Sequence, residues 1–318
     1  MNPSIPETMR AAAFDRFGGP EVLHTESLPV PRPGRHDVLI RLDLAGVGVW
    51  DPDVRSGALP LGRVRFPRVI GNDGAGVVVA MGTGVSRFRL GDHVYAYSLD
   101  GGFYAEYVAV REDNVAAIPS GVDPVEAGAL GADGITALCG LDEELRVRRG
   151  DRLLIFGASG GVGHIAVQLA KRLGAQVLAV ASGRDGVELV QRLGADVAID
   201  GHRDDPGEAA RAFAPEGLDG ALVLTDGRRR DEALAVVKKD GRVAYPRGVD
   251  PEPVVASGVQ ALPYDGMPER EAFERLNRLI GPGPFHVELG HVYSLDEAAR
   301  AHRDVQKHHL GKLALRLH

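Results

Sequence analysis

Within residues 152–171, RLLIFGASGGVGHIAVQLAK, the chain carries a buried strand, a glycine turn and the opening of an amphipathic helix. The apolar residues at 153–156 read as a strand covered on both faces, whereas Ile165, Leu169 and Leu173 recur at helical spacing. The glycines between them let main chain approach a ligand closely. A helix that starts here aims its unpaired N–H groups and the positive end of its dipole at the turn, so a pyrophosphate is held there without a basic side chain.

The bare turn is a weak sign, because Ala158 takes the first glycine position of the pattern completed by Gly160 and Gly163. Its surroundings strengthen it. Apolar strands are predicted at 176–181, 196–199, 220–224 and 242–245, and helices at 184–193, 206–214 and 229–238. This alternation implies an α/β fold, a doubly wound parallel sheet with helices on both faces that binds a dinucleotide at the glycine turn. The tip of the second strand should select the cofactor, since an acidic side chain there takes the ribose 2′-hydroxyl of NAD and a basic or small polar one takes a 2′-phosphate. The residues at that tip are Ala181, Ser182, Gly183 and Arg184. Ser182 can donate one hydrogen bond and Arg184 can fork two onto a phosphate, which points to NADPH. Paired with Asp185 instead, Arg184 would be an ordinary solvated charge at a helix start.

A length of 318 residues suggests two domains. The net charge of −7 argues against a nucleic-acid or anionic-membrane surface, and Arg228, Arg229, Arg230 and Lys238, Lys239 are too isolated to form a basic stripe. The single cysteine, Cys139, excludes an intrachain disulfide framework and fits a reducing compartment. The opening residues, Met1 to Glu7, show no basic-then-apolar leader, and no apolar run approaches the roughly 20 residues of a membrane span, so a cytoplasmic protein is expected. Before the glycine turn, strand-like alternation at 38–44, 76–80 and 104–110, punctuated by Pro29, Pro31, Pro33, Pro52, Pro60 and Pro67, reads as a partly closed β domain. After the alternating region come a helix at 269–280, a Gly-Pro loop at 281–284, a capping box of Ser294 and Glu297 opening another helix, and a strand at 313–317. This final stretch has too few apolar positions for its own core and should return to the first domain.

Several separated motifs now carry a family likeness. VIGNDGAGVV at 69–78, GTGV at 82–85, FRLGDHV at 88–94, GFYAEY at 102–107, ASGGVG at 158–163 and GKL at 311–313 together resemble the medium-chain dehydrogenase/reductase superfamily. Within it, the chain resembles the zinc-free, zeta-crystallin-like quinone oxidoreductases, over nearly its whole length. The resemblance implies a Rossmann dinucleotide-binding domain at 122–264 inserted into a GroES-like β-barrel catalytic domain made of 1–121 and 265–318. It also implies a cleft for the nicotinamide and a homodimer formed through the Rossmann sheet edges. In the zinc-dependent alcohol dehydrogenases of the superfamily a Cys and a His stand where this chain has Gly48 and Asn72, and their structural zinc lobe uses four cysteines. None of the eleven histidines is seen at short spacing from a partner with a third ligand nearby, so no metal is expected.

Hydride addition to a carbonyl places negative charge on oxygen, and without a Lewis acid the best substrates disperse that charge themselves. The expected activity is therefore NADPH-dependent reduction of a quinone or another α,β-unsaturated carbonyl, polyketide-like enoyl thioesters included. In the segment 46–57, Trp50 is a candidate apolar wall and Asp51 a loop-fixing acceptor, with Asn72 a donor near the substrate carbonyl. Trp50 could equally pack in a core, and Asp51 could be a turn residue ahead of Pro52 that bonds its own backbone. The family often has Asn where Gly48 stands and Tyr where Asp53 stands. The resemblance further places the phosphates over Ser159, Gly160, Gly161 and Val162, and the 2′-phosphate near Ser182, Arg184 and Lys307, the last equally readable as a solvated lysine. It places the nicotinamide amide against Tyr245, Pro246 and Arg247 and near Tyr264, with Thr136 as a side-chain contact. A family basic residue after the second strand is replaced by Gly186 and a Tyr after the third by Gly201, which weakens the case for NADPH. Two other readings compete: a zinc-free dehydrogenase or enoyl reductase of a specialised metabolite, and a dinucleotide-binding sensor or structural protein whose altered loop no longer turns over.

Overall fold

The computed structural model describes residues 5–59, 65–227 and 229–318, so the opening residues 1–4, Pro60 and Arg228 lie outside the described residues. The chain forms two compact units, one of Met1–Ala132, Pro268–Asn277 and Leu289–His318, the other of Asp133–Met267 and Arg278–Glu288. Residues 122–132 thus go with the first unit, and 278–288 go with the second.

The second unit is built on a six-stranded, wholly parallel sheet. Its central strand, Arg152–Phe156, lies between Gln176–Ala181 and Leu218–Val223; Val197–Asp200 closes one side, and Val237–Pro246 and Gln260–Tyr264 the other. The direction of winding therefore reverses at the central strand, which is where open α/β sheets bind ligands. Two elements depart from the sequence-based expectation. Only Arg230–Leu234 of the stretch 229–238 is helical, because Val237 already pairs with Leu218 in the sheet. A β-branched residue at a free sheet position favours the ladder over another turn of helix. The strand Gln260–Tyr264 escaped prediction because Pro263 reads as a breaker; at the last position of the sheet, a proline needs no N–H partner on its outer side.

In the first unit, the long strand Asp37–Val47 pairs antiparallel with Asp73–Met81, Tyr107–Arg111 and Lys312–Arg316 in a seven-stranded sheet. Thr8–Phe14 joins His24–Pro29 and Arg68–Val69 in a second, three-stranded sheet. The expected return of the chain end is visible in Leu313 opposite Val47. Ser294 and Glu297 do form the capping box, opening a single 3-10 turn, Leu295–Glu297, ahead of the helix Ala298–Asp304. The return is interrupted, however. Arg172, in the last turn of the helix Gly161–Leu173, donates to the main-chain oxygens of Leu279, Ile280, Gly283 and Pro284 and so holds that loop in the second unit. Among the described residues no helix is long and apolar enough to cross a membrane.

Candidate active site

The glycine turn follows directly from the end of the central strand. Gly157 adopts φ +85°, a left-handed conformation that turns the chain sharply, and Gly160 caps the helix Gly161–Leu173 with no side chain bonded to its first-turn N–H groups. At Gly163 a Cβ would lie 2.2 Å from the Gly157 carbonyl oxygen, so only glycine lets this helix approach the strand so closely. The main-chain amides of Gly161, Val162 and Gly163 thus stand at the carboxyl end of the sheet with the helix dipole behind them. His164 locks the turn from below: its Nδ1–H donates to Gly160 O at 2.9 Å and its Nε2 accepts the Glu288 N–H at 3.0 Å. Burial lowers the His164 pKa, and those two partners fix the neutral tautomer.

Ser159 is buried, and its Oγ accepts the Ser182 N–H at 3.3 Å, tying the tips of the first two strands together. A Cβ at Gly186 would sit 2.9 Å from that Oγ, which explains the absence of a longer side chain there. A Cβ at Gly201 would similarly meet Val180 at 2.8 Å. Ser182 Oγ lies 2.9 Å from His202 Nε2, an imidazole the sequence reading overlooked. Asp200, at the end of the third strand, accepts the main-chain N–H groups of Gly183 and His202 through Oδ1. Arg184 pairs with Glu188 at 2.8 Å rather than with Asp185, and it is 90% exposed. Lys307 belongs to the first unit and pairs with Asp304 at 2.7 Å. Tyr245 and Pro246 end their strand, Tyr245 being buried. Tyr264 is buried as well and donates its hydroxyl to Thr136 O at 3.0 Å.

The first unit holds a different constellation. Trp50 is 41% exposed, so it is not core packing. Asn72 donates an amide N–H to Ser98 O at 2.8 Å. Asp51 is fully buried and accepts two hydrogen bonds on one oxygen, from Gly48 N–H and from the Tyr104 hydroxyl, each at 2.7 Å. The chain of bonds continues inward. Tyr104 Oη lies 3.2 Å from His302 Nε2, and His302 Nδ1 lies 3.0 Å from Arg55 Nη1, whose Nε donates to Gly18 O. Because a guanidinium can only donate, His302 Nδ1 is the acceptor and the ring proton sits on Nε2, facing Tyr104. Burial, opposed by the Tyr104 and Gly48 bonds and the Lys312 charge, pushes the Asp51 carboxyl up to about 6. Burial, and then the Arg55 charge, push His302 down to about 3.

Arg55, Tyr104 and His302 were missed as functional residues because they meet across separations of 53 to 247 residues. Arg55 and Tyr104 stand in the segments 46–57 and 102–107, and only the fold shows them joined. His302 titration has a measurable consequence. A histidine at about 3 when folded and 6.5 unfolded contributes stability that is complete above pH 6.5 and is lost as the pH falls toward 3, by about 1.4 kcal/mol per pH unit. His302→Asn keeps an acceptor for Arg55 but does not titrate, so urea unfolding between about pH 6.5 and 4 should show a steeper loss for the wild type. Equal slopes would remove His302 from the acid response.

Among the described residues, one further group, Asp15, His24 and Glu26, brings an imidazole and two carboxylates within 4.8 Å of one another, a combination the sequence reading did not anticipate. In it, His24 Nε2 lies 3.6 Å from an Asp15 carboxylate oxygen and 3.7 Å from one of Glu26.

Comparison with known proteins agrees with this geometry. Residues 34–120 match the family model of the alcohol dehydrogenase GroES-like domain and residues 161–254 that of the zinc-binding dehydrogenases. Quinone oxidoreductase of Mus musculus is 31% identical over 315 residues, covering 93% of this chain and 94% of that protein. The crystal structure of an NAD-dependent alcohol dehydrogenase gives a TM-score of 0.87 at 29% identity, over 98% of this chain and all of that one. A mycobacterial protein complexed with NADPH gives 0.82 at 29% identity, over 96% and 99% of the two chains. A GroES-like domain joined to a Rossmann domain with a nicotinamide-dinucleotide-binding turn is an oxidoreductase fold, and the chain belongs to the medium-chain dehydrogenase/reductase superfamily, among its zeta-crystallin-like quinone oxidoreductases.

Proposed function

We propose that the protein is an NADPH-dependent reductase of quinones and other α,β-unsaturated carbonyls that works without zinc. The supporting observation is the uncapped amide row at Gly161 and Val162, at the point where the sheet reverses direction. Bound there, the reduced dinucleotide would supply the hydride. Ser159, Gly160, Gly161 and Val162 hold its diphosphate; Ser182 and Arg184 answer the 2′-phosphate; Thr136, Tyr245, Pro246 and Tyr264 border the nicotinamide. The strand tip favours the phosphate, because Asp200 Oδ1 is already occupied by two main-chain donors and Ser182 offers a hydroxyl.

The residues present do not fit a catalytic zinc. Gly48 has no side chain, and the Asn72 amide, already bonded to Ser98, offers neither thiolate nor imidazole. A substrate that disperses the incoming charge is therefore favoured, since a delocalised phenolate or enolate needs only a few donors. Asn72 supplies a donor, Trp50 an apolar wall, and Asp51 fixes the loop between them. With Gly48 and Asp53 in place of the relatives' Asn and Tyr, the final proton comes from solvent. The same reading makes the protein a cytoplasmic homodimer joined through the Rossmann sheet edges.

Absorbance of NADPH and NADH, followed with 1,4-benzoquinone, 9,10-phenanthrenequinone and a crotonyl thioester, tests the proposal. NADPH should be oxidised by at least one acceptor with kcat/KM about tenfold above NADH, the factor that about 1.4 kcal/mol of added phosphate contact supplies. Tight binding without oxidation by any acceptor would replace the reductase with the sensor reading.

A further inference from the structure

We propose that Asp51 is a positioning residue whose ionised carboxylate latches the loop at 48–50, and that proton uptake on Asp51 releases it. Arg55 donates to His302, His302 donates to Tyr104, and Tyr104 has a single proton, which it gives to Asp51. A hydrogen-bond chain oriented in this way ends on an accepting oxygen, and an ionised carboxylate is the stronger acceptor there. Both bonds on the receiving oxygen, from Tyr104 and from Gly48 N–H, are then charge-assisted and short at 2.7 Å.

Burial works the other way. Asp51 is 1% exposed, and a carboxylate taken out of water is pressed toward its neutral form. The groups facing it divide between the two tendencies. Lys312 and the Tyr104 and Gly48 donors favour the charge, and Asp73 opposes it. Behind Tyr104 stand His302, held neutral by burial, and Arg55, which also senses Glu21 and Asp53. The balance leaves Asp51 able to change charge near neutral pH. Once it is protonated, the Gly48 N–H and the Tyr104 hydroxyl lose their charged acceptor, and both bonds that tie the loop to Asp51 weaken.

Trp50, the only tryptophan in the chain, adjoins Asp51 and is partly exposed, so its fluorescence reports the loop. In the full-length protein, emission should change between about pH 5 and pH 8 with a midpoint near 6. The change should vanish in Asp51→Asn and move to higher pH in Tyr104→Phe, which removes a bond that favours the charged form. A flat wild-type titration overturns the proposal, as does a transition that persists in Asp51→Asn or an unmoved midpoint in Tyr104→Phe. Should Asp51→Asn fail to fold, infrared difference spectra of the wild type decide instead: a buried protonated-carboxyl band must appear over the same pH interval, and its absence refutes the latch. A kinetic arm rests on the reductase reading, kcat/KM with 1,4-benzoquinone falling about tenfold per pH unit below that midpoint. The fluorescence arm needs no activity, so failure of the latch and failure of the reductase assignment are told apart.

Discussion

Gly163→Ala is expected to lower affinity for NADPH about a hundredfold and to destabilise the second unit. The added Cβ would lie 2.2 Å from Gly157 O and 2.7 Å from the Cα and carbonyl carbon of Ala158, all main-chain atoms that cannot rotate away. The helix must withdraw by about 1 Å, and a misplacement of that size at ligand-gripping groups costs about 10²-fold. Alanine returns up to about 1 kcal/mol of helix propensity, whereas forcing apart a packed helix and strand costs about 1–3 kcal/mol, so the clash prevails. Gly160→Ala is the contrast. Its Cβ would meet Gly157 O only at 3.6 Å, an ordinary contact, so this variant should unfold within about 1 kcal/mol of wild type. Calorimetry with NADPH and urea unfolding measure both effects, and wild-type binding by Gly163→Ala would show that close approach is not what aims the amides.

The glycine turn could be read in advance because its requirements are local. A strand of four apolar residues, a left-handed glycine and a helix that needs Gly163 follow one another without a gap, so sequence spacing and spatial spacing agree. The capping box of Ser294 and Glu297 was legible for the same reason. The strand Gln260–Tyr264 was not, since its place is fixed by pairing with Arg242 to Pro246 rather than by its own residues. The polar cluster of the first unit lies further still from sequence reasoning. Asp51 could be singled out as a loop-fixing acceptor, and it does take a main-chain N–H three residues back. Its burial and its wiring to Tyr104, His302 and Arg55 depend on strands and a helix brought together from both ends of the chain. Sequence spacing carries no trace of such a meeting. His302 illustrates the difficulty, because a lone histidine invites a metal reading, and the fold instead makes it a neutral link between a guanidinium and a phenol.

The largest loss of stability in the first unit is expected from Lys312→Met. Lys312 and Asp73 are both buried, with Nζ 3.8 Å from Oδ2, and the same oxygen accepts the Ala132 N–H at 3.0 Å. The neighbouring strand makes room for the pair through Gly46, where a Cβ would lie 2.4 Å from Asp73 Oδ1 and 2.9 Å from Lys312 Cε. Removing the ammonium while keeping the carboxylate leaves a buried charge without the cation paired to it, which costs about 3–5 kcal/mol. Against a total stability of about 5–15 kcal/mol for a domain, that is enough to shift the urea midpoint severely. Adding Asp73→Asn to Lys312→Met should recover part of the loss, because the desolvated charge is then gone as well, and the double-mutant cycle measures the coupling. The same substitution also reaches the latch. Lys312 is one of the groups that favour ionised Asp51, so in Lys312→Met the Trp50 transition should move to higher pH even though residue 312 lies on the last strand of the chain. Unfolding within about 1 kcal/mol of wild type would mean that water or other dipoles already neutralise Asp73, and the pair would then be an incidental contact rather than a support of the loop.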